Sequence, residues 1–343
     1  MVVVMQAGVE EELIEAVIGR LSRFGFDVHR SSGVHQTVLG AIGVRPDFDL
    51  RQVQVLEGVA EVYRVTDPYK IASRTWRRSD TVIEVNGIPI GSDRVAVMAG
   101  PRVFESEEQL EQVATLLVSE GVRFLRTSLL RPKKAAHTPQ WPADDRVDLI
   151  RAIASRHGLS LVLEVADQAL VEKAADAADI FLVAAQGMQN DVLLSEVART
   201  GKPVILQRGL AARIEDWLMG AEKILTQNNA RVMLCEGGIR TFEPYTRHTL
   251  DLSSIPVVQS KSHLPVLADP SHGIGLRNKV TPMARAAVAA GAHGVLIDIH
   301  PDPQSALRDG PQALFFEQFV ELMQQIRLIA EAVGRTVASP AGR

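Results

Sequence analysis

Long apolar runs recur along most of the chain, and polar residues follow each of them. Eight runs are nearly continuous rather than alternating, as in parallel strands covered on both faces. They span 94–101, 122–127, 159–165, 179–185, 202–208, 230–236, 265–272 and 293–301. Amphipathic segments with helical periodicity separate most of them. Eight strand-plus-helix units predict an α/β fold, a closed (β/α)8 (TIM) barrel over residues 94–337.

The polar residues at the strand ends are the candidate site, because chemistry in such a barrel lies at the carboxyl ends of its strands. They are Arg102, Arg126, Glu164, Gln186, Gln207, Arg208, Glu236, Asp269, His272, Asp298 and His300.

The first 66 residues predict a separate small domain. Their pattern reads strand, helix, two strands, helix, strand, which is the ferredoxin-like α+β order. Such a domain binds a regulator, mediates oligomerisation, or simply packs over one end of the barrel. Residues 67–93 are interpreted as a connecting segment whose hairpin, with Asn86-Gly87 at its turn, plugs the amino end of the barrel. Residues 338–343 read as a disordered tail.

Composition narrows the class of protein. The chain has 343 residues, 46% of them hydrophobic, a net charge of −4 and one cysteine. No basic run suggests nucleic-acid binding, and no apolar stretch reaches the ~18–20 residues of a membrane span. The single Cys235 fits a reducing compartment and reads as a core thiol. We therefore expect a cytoplasmic protein that acts on a small molecule, without nucleic-acid or membrane partners.

Two long motifs carry a family resemblance. LPVLADPSHGIG at 264–275 and LCEGGIRTFEPYTRHTLDLSSIPVV at 234–258 resemble the 3-deoxy-7-phosphoheptulonate (DAHP) synthases, most closely the subtype with an N-terminal ferredoxin-like domain. The resemblance covers essentially the whole chain. It implies condensation of phosphoenolpyruvate (PEP) with erythrose 4-phosphate, a step of aromatic amino acid biosynthesis. It also implies a divalent metal and homo-oligomers.

The metal ligands that the resemblance implies are a Cys, a His, a Glu and an Asp. At these positions the chain has Arg102, His272, Asp298 and Asp309. We expect the Arg102 guanidinium to fill the metal position and to pair with both carboxylates, so that no cofactor is needed. Alternatively, Arg102 swings outward and His272, Asp298 and Asp309 hold Mn²⁺ or Zn²⁺. In the plainest alternative, Arg102 is an ordinary surface arginine.

The cationic side chains that the resemblance implies for PEP are also altered. Arg126 is kept and a lysine is replaced by Arg131, but three other positions are neutral: Gln186, Gln207 and Gly237. Arg208 follows Gln207 and is a further candidate. A hydrogen bond to a charged group is typically worth ~1.5–3 kcal/mol, so three losses would weaken PEP binding by orders of magnitude. Lys133, Lys134 and His137 form a basic loop that either binds an anionic group or is solvated.

Glu164, Glu236, His272 and Asp298 remain as acid–base candidates, and Arg102 is a further candidate catalytic residue. We expect a diverged enzyme on a DAHP synthase scaffold, catalysing hydrolysis or carbon–carbon bond chemistry (a hydrolase, lyase or transferase) on a specialised metabolite. Two alternatives stay open. One is an authentic synthase with a rewired site, and the other is a non-catalytic partner that pairs with a true synthase through residues 1–66.

Overall fold

The computed structural model describes residues 1–33, 36–45, 48–64, 68–128 and 143–338, with the side chains of 143–145 left out. Contacts divide the chain into two compact units. The first holds Met1–Ser79 with Ser260–His263, and the second begins at Asp80. The predicted connecting segment 67–93 is therefore divided between the two units. Its residues up to Ser79 belong to the first unit, and those from Asp80 onward belong to the second.

The first unit is an antiparallel sheet with two helices. Its strands are β1 (Val2–Met5), β2 (Asp27–Ser32), β3 (Thr37–Ile42) and β4 (Val59–Tyr63), and its helices are α1 (Glu11–Arg23) and α2 (Arg51–Gln54). The strand order is β2-β3-β1-β4. This confirms the ferredoxin-like arrangement. The core forms because α1 buries one face, including Ile14, Val17 and Leu21, among apolar residues of the strands.

The second unit is the predicted closed parallel barrel. Its strands are β7 (Ala96–Gly100), β8 (Phe124–Ser128), β9 (Ser160–Val165), β10 (Ile180–Val183), β11 (Val204–Gln207), β12 (Val232–Glu236), β13 (Val266–Ala268) and β14 (Gly294–Asp298). Neighbours in sequence pair in parallel, and β14 closes on β7. Each strand is buried along its whole length, which explains the continuous apolar runs in the sequence.

Helices follow the strands around the barrel. They are α3 (Glu107–Ser119), α4 (Ala143–Arg156), α5 (Gln168–Ala174), α6 (Asp191–Arg199), α7 (Ile214–Leu225), α8 (Ser254–Lys261), α9 (Pro270–Ile274), α10 (Arg277–Ala289) and α11 (Phe316–Ala332). Polar side chains cap several of them: Ser106 accepts a hydrogen bond from Gln109 N at the start of α3, and Asn190 from Leu193 N at α6. Within the described ranges, no helix has the length and apolar character needed to cross a membrane.

A short hairpin closes the barrel interior. Strands β5 (Ile83–Val85) and β6 (Ile88–Ile90) pair antiparallel. Asn86 and Gly87 at the turn have φ of 48° and 78°, the left-handed values that Asn-Gly supplies in tight hairpins. Ile83, Val85 and Ile90 belong to one apolar cluster with the inward residues of the strands, among them Met98 and Phe124. The hairpin therefore plugs the barrel, as the sequence predicted.

Candidate active site

Two adjoining cavities open at the carboxyl ends of the barrel strands, a region called the barrel mouth below. The central cavity has a volume of about 270 Å³ and is lined by Arg102, Ala184, Ala185, Gln186, Gln207, Leu210, Gly237 and His272. The side cavity, of about 380 Å³, is lined by Arg102, Gln186, Arg247, His272, Leu307, Arg308 and Asp309. Arg102, Gln186 and His272 line both, so they are the residues best placed to touch a ligand.

Arg102 follows β7 and is held by a carboxylate across the mouth. Both terminal nitrogens donate to the two oxygens of Glu164 on β9, one of them at 2.7 Å. Its Nε lies 3.5 Å from Oδ2 of Asp309. The predicted pairing of Arg102 with Asp309 is thus present. The predicted pairing with Asp298 is wrong, because both terminal nitrogens of Arg102 donate to Glu164 instead. Arg102 is 9% exposed, so it is no ordinary surface arginine.

Asp298, at the end of β14, is paired with Arg126 instead. Nη1 of Arg126 on β8 donates to Oδ1 of Asp298, and Gln312 Nε2 donates to Oδ2 at 2.5 Å. Burial alone would lower the pKa of Arg126, but Asp298, Asp269 and Glu164 raise it above its usual value. Arg126 is 1% exposed and lines neither cavity. It holds three carboxylates in place, and its interpretation as a residue that contacts substrate stays a prediction.

Asp269 orients His272. Its Oδ1 accepts from His272 N at 3.0 Å, which caps the start of α9, and its Oδ2 lies 2.8 Å from His272 Nδ1. Burial would raise the pKa of Asp269, but the His272 charge and hydrogen bond, together with Arg126, lower it. With Nδ1 engaged, Nε2 is the free ring nitrogen. It finds no hydrogen-bond partner among the described residues and lies 3.7 Å from Asp298 Oδ2 and 3.9 Å from Asp309 Oδ2.

Asp309 borders the side cavity and is surrounded by guanidiniums. Arg247 Nη2 donates to its Oδ1 at 2.9 Å, and Arg308 Nε lies 3.5 Å from Oδ2. Burial would raise the pKa of Asp309, but the hydrogen bond from Arg247 and the nearby charges of His272, Arg247 and Arg102 lower it. The residue has φ of 57°, a backbone conformation that Asp tolerates better than most side chains.

Gln207, at the end of β11, forms a neutral wall of the central cavity. Its Oε1 accepts from Ala185 N at 3.2 Å, and its Nε2 donates to Asp269 at 3.5 Å. Gly237 lies beside it, and Gln186 sits in the turn after β10. Where the resemblance implies three cationic side chains, the cavity therefore presents two amides and a glycine.

Glu236 and Arg208 form a second buried pair. Arg208 Nη1 donates to Glu236 at 3.1 Å and to Asp251 at 2.8 Å, and Glu236 also accepts from Gly238 N at 2.7 Å. Burial raises the pKa of Glu236, although Arg208 and Gly238 N oppose the shift. Glu236 and Arg208 line neither of the two cavities described above. They hold the loop after β12, and their predicted roles toward a substrate stay predictions.

Glu164 is 0% exposed and both its oxygens accept from Arg102; its role in acid–base chemistry stays a prediction. Cys235 points into the barrel interior cluster, where burial raises the pKa of its thiol; it is the core thiol that the sequence indicated.

Arg131, Lys133, Lys134 and His137 lie outside the described residues. The sequence reasoning missed Arg247, Arg308 and Gln312, which come from loops with no strand-end signal.

The residues at the implied metal position do not fit a divalent cation as they are arranged. Both oxygens of Asp298 are engaged by Arg126 and Gln312, and both oxygens of Asp309 face guanidiniums. The permanently charged Arg102 adds repulsion. No group of three or more His, Cys, Asp or Glu side chains in the described ranges is placed to hold a metal ion.

Comparisons with known proteins agree with the fold and the motifs. Residues 78–333 match the DAHP synthetase I family, and residues 1–67 match the DAHP synthase ferredoxin-like domain. Phospho-2-dehydro-3-deoxyheptonate aldolase of Thermotoga maritima is 39% identical over 97% of this chain and 99% of its own. Its crystal structure superposes with a TM-score of 0.78 over 98% of both chains. A 2-dehydro-3-deoxyphosphooctonate aldolase of Syntrophobacter fumaroxidans is 29% identical over 73% of this chain and 94% of its own. The chain belongs to the DAHP synthetase I family.

Proposed function

We propose that the protein catalyses the aldol-type condensation of PEP with erythrose 4-phosphate. The observation that supports this most is the 39% identity to the Thermotoga maritima aldolase, which runs through both units of the chain. This favours an authentic synthase over the diverged hydrolase or lyase that the altered residues suggested.

The barrel mouth offers chemistry suited to such a step. Addition of an enol carbon to an aldehyde puts negative charge on the aldehyde oxygen, and fixed donors in a water-poor site stabilise that charge. Arg102, Gln186 and His272 line both cavities. Arg102 supplies the positive charge, and His272 Nε2 is the ring nitrogen available for proton transfer.

The test follows PEP consumption and phosphate release by the full-length protein with erythrose 4-phosphate, in Mn²⁺ and separately in EDTA. We expect turnover that needs both substrates and falls about 10²-fold or more in His272→Gln. Gln186→Arg is the matched gain-of-function variant. Since one charged hydrogen bond is worth ~1.5–3 kcal/mol, it should lower the KM for PEP about tenfold or more. No PEP consumption in either condition would overturn the proposal.

A second candidate is carbon–carbon bond chemistry on a substrate less anionic than PEP. It is supported by the neutral wall of Gln186, Gln207 and Gly237, which leaves Arg102 as the sole permanent cation among the described residues lining the central cavity. Calorimetric titration with pyruvate and with PEP separates the two candidates. Tighter binding of pyruvate, without phosphate release from PEP, supports the second candidate; tighter binding of PEP supports the first.

A further inference from the structure

Among the described residues around Arg102 and His272, four guanidiniums pair with four carboxylates. The cations are Arg102, Arg126, Arg247 and Arg308, and the anions are Glu164, Asp269, Asp298 and Asp309. Each of the four carboxylates lies within 3.9 Å of at least one of the four guanidiniums. These four guanidiniums and four carboxylates carry equal and opposite formal charge.

We propose that Arg102 replaces a bound divalent cation as the fixed positive charge of this site, so that the protein binds its ligand without a metal. A dication added to a balanced, largely buried network would leave two charges uncompensated, and uncompensated buried charge is strongly unfavourable. The arginine cannot relieve this by losing a proton. Removing the guanidinium is therefore the step that would admit a cation.

The position of the Arg102 charge is set by its partners. Glu164 holds the two terminal nitrogens in a fork, a geometry that fixes the plane of a guanidinium. Its buried Nε has no hydrogen-bond partner among the described residues. Arg102 also lines both cavities, so a ligand that enters either one comes close to its side chain. A metal-free site is a separate property from the proposed condensation, because metal binding rather than turnover tests it.

The first test uses the wild-type full-length protein. Titration with Mn²⁺, followed by calorimetry and by the electron paramagnetic resonance signal of free Mn²⁺, should show no saturable site below about 1 mM. EDTA should leave the melting temperature unchanged. One Mn²⁺ bound per chain at micromolar affinity, and lost in His272→Ala, would overturn the proposal.

The second test replaces the Arg102 guanidinium with a side chain that can bind a metal ion. Arg102→Cys removes the guanidinium and adds a thiolate beside His272 and Asp309, and should raise affinity for Zn²⁺ or Mn²⁺ at least about tenfold. Arg308→Ser is the matched control, because it also removes a guanidinium next to Asp309 but leaves Arg102 in place; we expect no gain. Equal gains in both variants, or none in a folded Arg102→Cys, would contradict the proposal. Circular dichroism checks folding, and if Arg102→Cys does not fold, the wild-type titration decides.

Discussion

Gln207 fills the space beside Gly237: a Cβ built on Gly237 would lie 1.9 Å from Gln207 Nε2. Gln207 ends β11 and Gly237 directly follows the neighbouring strand β12, so the side chain at one position determines what fits at the other. A longer side chain at 237 requires Gln207 to move away from Ala185 N and Asp269. The neutral wall of the central cavity is therefore one coupled feature rather than two separate substitutions.

Gly237→Ala should lower the free energy of unfolding by about 1–2 kcal/mol, because Gln207 loses its hydrogen bonds when it moves. In a Gln207→Ala background the same change should cost much less, since the clash is gone. A double-mutant cycle measured by urea denaturation gives the coupling. Additive effects would mean that the two side chains do not compete for this space.

Arg126→Met should lower the free energy of unfolding by about 3–5 kcal/mol, because it leaves Asp298 and Asp269 buried without their cation. Arg199→Met is the matched control. Arg199 pairs with Glu196 within α6 but its side chain is 63% exposed, and exposed pairs contribute about 0–1 kcal/mol. Similar losses in the two variants would contradict the assignment of Arg126 as the arginine that neutralises buried carboxylates.

Glu236 and Asp251 both accept a hydrogen bond from Arg208. Even so, the contribution of Glu236 to stability should fall as the pH rises, whereas that of Asp251 should fall as the pH drops. Burial raises the pKa of Glu236, so the folded state binds its proton more tightly than the unfolded state. The contribution of Glu236 to the free energy of unfolding therefore falls as the pH rises from 4.5, its pKa in the unfolded state, toward its raised pKa in the folded state. For Asp251, burial is outweighed by hydrogen bonds from Ser253 and Arg208, which lower its pKa. Its contribution is lost as pH falls below 3.8.

Unfolding free energies measured from pH 3 to pH 7 check this contrast. Glu236→Gln should flatten the decline above about pH 4.5, whereas Asp251→Asn should flatten the loss of stability at the acid end. The same change in slope for both variants would contradict the two assignments.

Ile90→Ala tests the hairpin plug. Ile90 is 0% exposed and packs in the apolar cluster of the barrel interior, so its truncation should cost about 2–4 kcal/mol. Ile88 on the same strand is only partly buried against that cluster, and Ile88→Ala should cost less. Equal small losses in urea denaturation would mean that the hairpin does not fill the barrel end.

The pattern of apolar and polar residues located the eight barrel strands and the ferredoxin-like order. The barrel strands stood out because parallel strands buried on both faces give continuous apolar runs, which are not typical of loops. Asn86-Gly87 marked the hairpin because few other dipeptides adopt its two left-handed residues. The motifs also identified the family and the altered strand-end positions. These features depend on residues close together in the chain.

Only the tertiary structure decided how the charges pair. From the sequence, Arg102 was expected to fill the implied metal position and to pair with both Asp298 and Asp309. In the barrel, Glu164 on β9 lies opposite Arg102 and accepts hydrogen bonds from both of its terminal nitrogens. Arg126 pairs with Asp298 instead. Arg247, Arg308 and Gln312 complete the network from distant loops. Ion pairing depends on distances of a few ångströms between residues far apart in sequence, and closure of the barrel is what sets those distances.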